Sequence, residues 1–174
     1  MPIFTETQIN HQKTLDEENI FDNSTDFTLR EISINDINLI KELWEKLNQL
    51  HLNDSRFFKE HYKAFTFENR CTKFKGMNKE NFRLEIVENK NLQVIGYCLS
   101  TIKEEIGEID SLFIEDAYRK LGLGNLLINR SIKWLNNNNC LKILVAVADG
   151  HEEVFEFYMR TGFYPRLTYL ELGK

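Results

Sequence analysis

Basic charge, proline, paired cysteines and long apolar runs are all scarce in this chain, and each shortage removes a class of protein. The 174 residues hold 22 Lys and Arg against 27 Asp and Glu, a net charge of −5 at pH 7. A general nucleic-acid binder carries a basic excess, so no nucleic-acid partner is expected. An acidic balance is common among soluble proteins and is compatible with a cationic substrate such as an amine. The three cysteines, Cys71, Cys98 and Cys140, are odd in number, widely spaced and lack a C-x-x-C pattern. Neither a disulfide framework nor a zinc site is supported. His11, His51, His61 and His151 form no ligand-spaced pattern such as H-E-x-x-H, and no metal is expected. No stretch approaches the ~18 continuous apolar residues of a membrane span. The opening MPIFTETQINHQ has no basic n-region followed by an apolar core. A cytoplasmic protein with no membrane partner is expected.

What is present is enough to fold. Apolar residues make up 42% of the chain, with 13 Phe and 6 Tyr. That supports one core, and the length suits one domain, since domains cluster near roughly 100–200 residues. Residues 1–26 are polar and aperiodic and read as a flexible extension, with a short helix near Leu15–Phe21. FTLREISI (27–34) alternates as a strand. Asn35-Asp36 offers a helix cap, and apolar residues from Ile37 to Leu50 keep helical spacing until HLNDS (51–55) breaks it. A second helix is expected over Phe57–Phe74. Three strands follow at 82–89, 93–103 and 107–116, the first two joined by a hairpin turn at Asn89-Lys90-Asn91. Gly122 opens an amphipathic helix that ends at Asn136–Asn139. CLKILVAVA (140–148) reads as a central buried strand. A short helix over His151–Arg160 stops at Thr161-Gly162, and a last strand is expected within Leu167–Leu172. The order predicts an α/β (α+β) fold with a mixed sheet flanked by helices.

The segment DSLFIEDAYRKLGLGNLL (110–127) carries the chemistry. A strand enters a loop with two closely spaced glycines, and an amphipathic helix starts at once. Such a loop aims several backbone N–H groups at one point, where the helix dipole adds positive potential. Gly122 and Gly124 admit a ligand close to the backbone and permit unusual φ values, and Arg119 and Lys120 add cations. This pattern suits phosphate or pyrophosphate. There is no G-K-[ST], so it is not a nucleoside triphosphatase loop. Leu127 stands where a dinucleotide-binding G-x-G-x-x-G would place its third glycine.

Arg119-Lys120-Leu121-Gly122-Leu123-Gly124 resembles the [RQ]-x-x-G-x-[GA] signature of the GNAT superfamily of acetyl-CoA-dependent N-acetyltransferases, and VFEFYMRTGFYP (154–165) resembles its second signature. The likeness is strong over 107–172, general over 27–106 and does not reach 1–26. It implies a single GNAT domain over 27–174 whose sheet splays between the fourth and fifth strands. It also implies acetyl-CoA as co-substrate. Its pyrophosphate would lie on the amides of Arg119, Lys120, Leu121, Gly122, Leu123, Gly124 and Asn125. Its pantetheine arm would pair with the backbone of Leu112, Phe113 and Ile114, exposed by a bulge in that strand.

The resemblance further implies roles. Tyr158 matches the general acid beside the thioester sulfur. Glu108 matches the strand carboxylate that serves as base in one branch of the superfamily. Asp110, two residues on, shares its sheet face and would help hold a cationic acceptor. His151 stands seven residues before Tyr158, where relatives often carry Asn. It would contact the cofactor or simply cap the helix, a task open to Asp149 as well. On the acceptor side the candidates are His51, Asn53, Asp54, Arg56 and Phe57. The expected reaction is acetylation of a primary amine in a small molecule, amino acid derivative or polyamine. A silent acyl-CoA sensor and a protein N-terminal or lysine acetyltransferase are the alternatives, and a homodimer is compatible with the sequence.

Overall fold

In a computed structural model, residues 26–172 are described. The expected extension, apart from residue 26, and its short helix near Leu15–Phe21 lie outside that range. Five strands form one sheet in the order β1-β2-β3-β4-β5: Phe27–Ile32, Phe82–Asn89, Val94–Lys103, Ile106–Ile114 and Lys142–Val145. The first three pairings are antiparallel, and β4 runs parallel to β5. Helices α1 (Lys41–Asp54), α2 (Lys59–Ala64) and α3 (Phe67–Thr72) precede β2, while α4 (Leu123–Asn137) and α5 (Phe155–Arg160) flank β5 in the chain. No helix among the described residues is long and apolar enough to cross a membrane.

The core has two parts, one containing Trp44, Phe67 and Phe74 and one containing Leu123, Leu127 and Leu135. β2 and β3 make the sheet's centre and are buried along almost their whole length. β2 contains charges that would suit a half-exposed strand, yet Glu85 is buried against Arg83 (3.1 Å) and Arg130 (2.7 Å), and Glu88 takes Arg30 at 2.8 Å. Pairing is what permits carboxylates in such a place. Cys98 packs here too, with Sγ 3.2 Å from Ser131 Oγ, and burial pushes its thiol up to about 11. All three cysteines are free thiols.

Several boundaries differ from expectation. CLKILVAVA is not a buried central strand: four residues pair, at the sheet edge, and Leu141 and Leu144 are exposed. An edge strand has a neighbour on one side only, whatever its hydropathy. The first helical segment is capped by Ser33, whose hydroxyl accepts from Asn35 N at 3.2 Å, rather than by Asn35-Asp36. It begins as a 3₁₀ turn, and α1 then runs through His51 to Asp54. The long second helix is two short ones, because Thr66 and Asn69 form a capping box that starts α3 afresh. Beyond Gly162 (φ +93°) no strand forms among the described residues; Leu167, Tyr169, Leu170 and Leu172 are exposed. Apolar alternation supplies a strand's pattern, but only a ladder partner makes it a strand.

Candidate active site

β4 is the hinge of the site. Against β3 it pairs from Ile106 to Ile114, but against β5 only from Ile106 to Ile109. The register with β3 shifts where Ser100 faces Ile109 and Leu99 faces Ser111, so Asp110 is the extra residue of a bulge. Past the bulge, Leu112, Phe113 and Ile114 have no strand on the β5 side. Apart from the Ile114 carbonyl, which accepts from Arg119, this edge is open to a ligand that behaves like an added strand.

At the end of that edge the chain turns into α4. Lys120 and Gly122 both take left-handed φ values, +65° and +82°. A left-handed lysine is unusual and costs backbone energy, a feature that collects at functional loops. The two glycines serve different ends. A Cβ at Gly122 would meet nothing within 4 Å, so conformation is the reason for glycine there. Gly124 is ordinary helix, and its Cβ would stand 3.5 Å from the Phe157 ring, an ordinary contact, so a methyl group fits and only a larger side chain would press on the ring or enter the cleft. Leu123 is buried and anchors the turn. The first-turn amides of α4, at Leu123, Gly124 and Asn125, have no partner within the helix and supply its N-terminal positive potential. Arg119 is already engaged. Its Nε donates to the Ile114 carbonyl (3.1 Å), its guanidinium pairs with Asp116 (2.8 Å), and it lies over Phe113. It ties the loop to the end of β4.

These pieces line one cleft of about 430 Å³, from Leu112, Phe113 and Ile114 through Arg119, Lys120, Gly122 and Gly124 to Asn125. Its other wall holds Leu47 and Leu50 of α1, then Tyr118, His151, Glu153, Val154, Phe157 and Arg160. Of that wall sequence reasoning flagged only His151 and missed the rest. The helical spacing of Leu47 and Leu50 marks them as core, and nothing local distinguishes a core leucine from one at a cleft. Phe157 and Arg160 lie on the α5 turn that also carries Tyr158, which is the one signal that could have flagged them.

Tyr158 itself is placed within the second apolar cluster, edge-on to Phe157 and Phe163. Burial, with a further contribution from Cys98, pushes its phenol up to about 12. Glu108 lies in the half of β4 that β5 covers, opposite Leu144. Its carboxylate meets Lys73 Nζ at 2.9 Å, and the same ammonium binds Asp110. The two carboxylates therefore do share a face. The Asp110 side chain has no exposed surface and also accepts from Thr101 Oγ1 and Arg70. Burial opposes the charge on Lys73, but its bonds to Asp110 and Glu108 outweigh that and raise its pKa. Lys73 and Arg70 escaped notice because their partners are 35 to 40 residues away.

The acceptor-side candidates converge on the β5–α5 connection. His51 Nδ1 is 3.0 Å from His151 Nε2, across 100 residues of sequence. Asp54 Oδ2 is 3.8 Å from that same His151 nitrogen. Arg56 binds Asp149 and Glu152, and a Cβ on Gly150 would run into the Asp54 carbonyl. Asp149 thus holds Arg56 rather than capping α5, and His151 occupies a cap position without a side-chain cap bond. Asn53 accepts from Gln49 at 2.8 Å, and Phe57 is exposed. Asp54 belongs to the His151 cluster and the strand carboxylates to Lys73, so they do not gather on one cation.

His51 gives a stability prediction. Burial, then the charge of His151, lowers its pKa from 6.5 to about 4, with Asp54 acting the other way. The fold therefore prefers the neutral ring. Stability from this site is complete above pH 6.5 and is lost as pH falls toward 4. Urea unfolding followed across that window is expected to show a shallower acid slope in His51→Asn than in wild type. An identical slope would mean His51 is not so buried.

The model of the acetyltransferase (GNAT) family matches residues 44–163, and the chain belongs to that family. A curated relative, an uncharacterized N-acetyltransferase of Chlorobaculum tepidum, is 29% identical over 96 residues. That match spans 55% of each chain, about half the relative's length. Among solved structures, the PaiA N-acetyltransferase of Thermoplasma acidophilum, in complex with coenzyme A, superposes with a TM-score of 0.66 at 16% identity, over 83% of this chain and 94% of that one. An aminoglycoside acetyltransferase from an uncultured soil sample, in complex with sisomicin, gives 0.61 at 14% identity, covering 86% and 95%. Glucosamine-6-phosphate N-acetyltransferase of Arabidopsis thaliana gives 0.59 at 13%, covering 84% and 97%. At such identities the likeness is one of fold: a mixed sheet with β4 parallel to β5, flanked by helices.

Proposed function

We propose that this chain transfers an acetyl group from acetyl-CoA to a primary amine of a small molecule by direct attack. The observation that carries the reading is the single cleft joining the open edge of β4 to the N-terminus of α4. The α4 amides with Lys120 would receive the pyrophosphate, and the backbone of Leu112–Ile114 the pantetheine amides. Acetyl-CoA supplies the activated acetyl group as a thioester. The amine nitrogen forms the new C–N bond, the C–S bond breaks, and the thiolate takes a proton. Tyr158 is proposed as that donor. A phenol is neutral at pH 7, the state a donor needs, and burial moves this one further from ionisation. A small acceptor is favoured because the end of α1 is clasped to the β5–α5 connection by His51, Arg56 and Asp149, which leaves little room for an extended peptide.

Thiol release from acetyl-CoA tests this. Spermidine, sisomicin and glucosamine 6-phosphate are suitable small acceptors, with a lysine peptide as the comparison. Turnover of the peptide alone would overturn the small-molecule reading. The same assay examines Glu108. Lys73 already neutralises it at 2.9 Å, so Glu108→Gln is expected to lower kcat less than about tenfold, below the contribution usual for a general base. A loss of about 100-fold or more would give the base role to Glu108.

A further inference from the structure

Direct attack requires that the acceptor, an ammonium ion at neutral pH, lose a proton inside the cleft, and this inference rests on the acetyltransferase reading above. The strand carboxylates are committed to Lys73 and Arg70. The cleft wall carries two other polar groups in contact, His151 and Glu153, with His151 Nδ1 3.4 Å from Glu153 Oε1. The opposite nitrogen of the same ring, Nε2, points away toward α1. There it meets His51 Nδ1 at 3.0 Å and Asp54 Oδ2 at 3.8 Å. Each nitrogen of His151 thus has a distinct environment, one beside a group that lines the cleft and one beside a group that does not.

We propose that His151 is the general base, that Glu153 and His151 Nδ1 together receive the acceptor's ammonium group, and that His51 is a positioning residue. In this arrangement His151 Nε2–H donates to His51 Nδ1. That bond fixes the tautomer and leaves Nδ1 bare beside Glu153. The ammonium sits between the bare Nδ1 and the Glu153 carboxylate. Its N–H bond breaks, the proton passes to Nδ1, and the freed electron pair on the amine forms the C–N bond with the thioester carbon. The C–S bond then breaks, the sulfur takes the Tyr158 phenol proton, and the second proton of the new amide nitrogen restores the phenol. The imidazolium left behind is faced by two carboxylates, Glu153 at 3.4 Å and Asp54 at 3.8 Å.

His51 suits its part because it resists charging. It lies against the Tyr62 ring and His151, with Asp54 the acidic group acting on it, and burial dominates. A weakly basic acceptor takes the hydrogen bond without removing the proton, so the charge stays on His151. The neighbouring Arg56, Asp149 and Glu152 are paired with one another and hold the connection in place. The partners lie 100 residues apart and meet only because α1 ends against the β5–α5 connection.

The test uses thiol release with the best of spermidine, sisomicin and glucosamine 6-phosphate, over a range of pH. His151→Ala is expected to lower kcat about 100-fold and to lose the acid limb of the profile, with activity partly restored by added imidazole. His51→Phe is expected to lower kcat about tenfold while KM for acetyl-CoA stays unchanged. Glu153→Gln should raise KM for the amine. An unaltered pH profile in His151→Ala, or no rescue by imidazole, would overturn the assignment. Nitrogen-15 spectra of the wild-type imidazoles at pH 7 decide the tautomer even if none of the three amines reacts. His51 with a bare Nδ1 and His151 with a protonated Nε2 support the proposal, and the reverse tautomer overturns it. Calorimetry of acetyl-CoA with the wild type separates the two levels, since absent binding defeats the acetyltransferase reading itself.

Discussion

Gly124→Trp is expected to weaken acetyl-CoA binding at least 100-fold while the protein stays folded. Gly124 sits in the first turn of α4, beside the amides proposed to hold pyrophosphate, and faces Phe157 across the cleft. The Phe157 ring already stands 3.5 Å from where a Cβ would be. An indole there has no course except into the cleft, over the amides. Gly124→Ala is the control. A methyl group makes ordinary contact with the ring, and replacing glycine by alanine within a helix stabilises it by about 1 kcal/mol. Alanine should therefore raise the melting temperature and leave binding within a few-fold. Titration calorimetry of both variants reads the difference. Tight binding by the tryptophan variant would show that the pyrophosphate lies elsewhere and would remove the basis for the proposed function.

The second large effect concerns stability. Asp110→Asn is expected to destabilise the fold by about 2–4 kcal/mol, a little under the ~3–5 kcal/mol for breaking a fully buried pair because Arg70 and Lys73 keep some contact with water. The Asp110 side chain has no exposed surface, and its carboxylate is surrounded by Arg70, Lys73 and Thr101. An asparagine keeps the volume but presents an N–H group and no charge to two cations. At about 2–4 °C per kcal/mol for a domain of this size, thermal unfolding should drop by roughly 4–16 °C. Glu108→Gln is the contrast. Its side chain is 39% exposed and shares the same lysine, so water compensates, and the loss should stay within about 1 kcal/mol. Because Asp110 is the bulged residue, the asparagine variant is also expected to bind acetyl-CoA more weakly. Equal melting temperatures for the two variants would mean that Asp110 is not the anchor of β4.

Features that depend on near neighbours could be read directly from the residues. The loop Arg119–Gly124 and the helix after it are legible because glycine spacing and helical periodicity act within a few residues. Gly162 ends α5 for the same reason. The family followed from two such local patterns in order. Helix ends were legible only coarsely, since Ser33 and Thr66 compete with equally good capping residues nearby.

Only the tertiary structure decided which strand is central, which carboxylate is bound and which groups meet. β2 keeps its glutamates buried because Arg30 and Arg130 reach them from other parts of the chain and Arg83 pairs with Glu85 within the strand, while the more apolar β5 falls at the edge. Asp110 and Glu108 look alike in sequence and differ in burial: Asp110, the bulged residue, is enclosed by Arg70, Lys73 and Thr101, while Glu108 meets only Lys73 and stays part exposed. His51 and His151 are separate candidates in the sequence, and nothing there pairs them; packing of α1 against the β5–α5 connection brings them within 3.0 Å. Hydrophobic pattern records what a residue prefers. Electrostatic pairing and strand order depend on which distant residue arrives beside it, and that is set by packing.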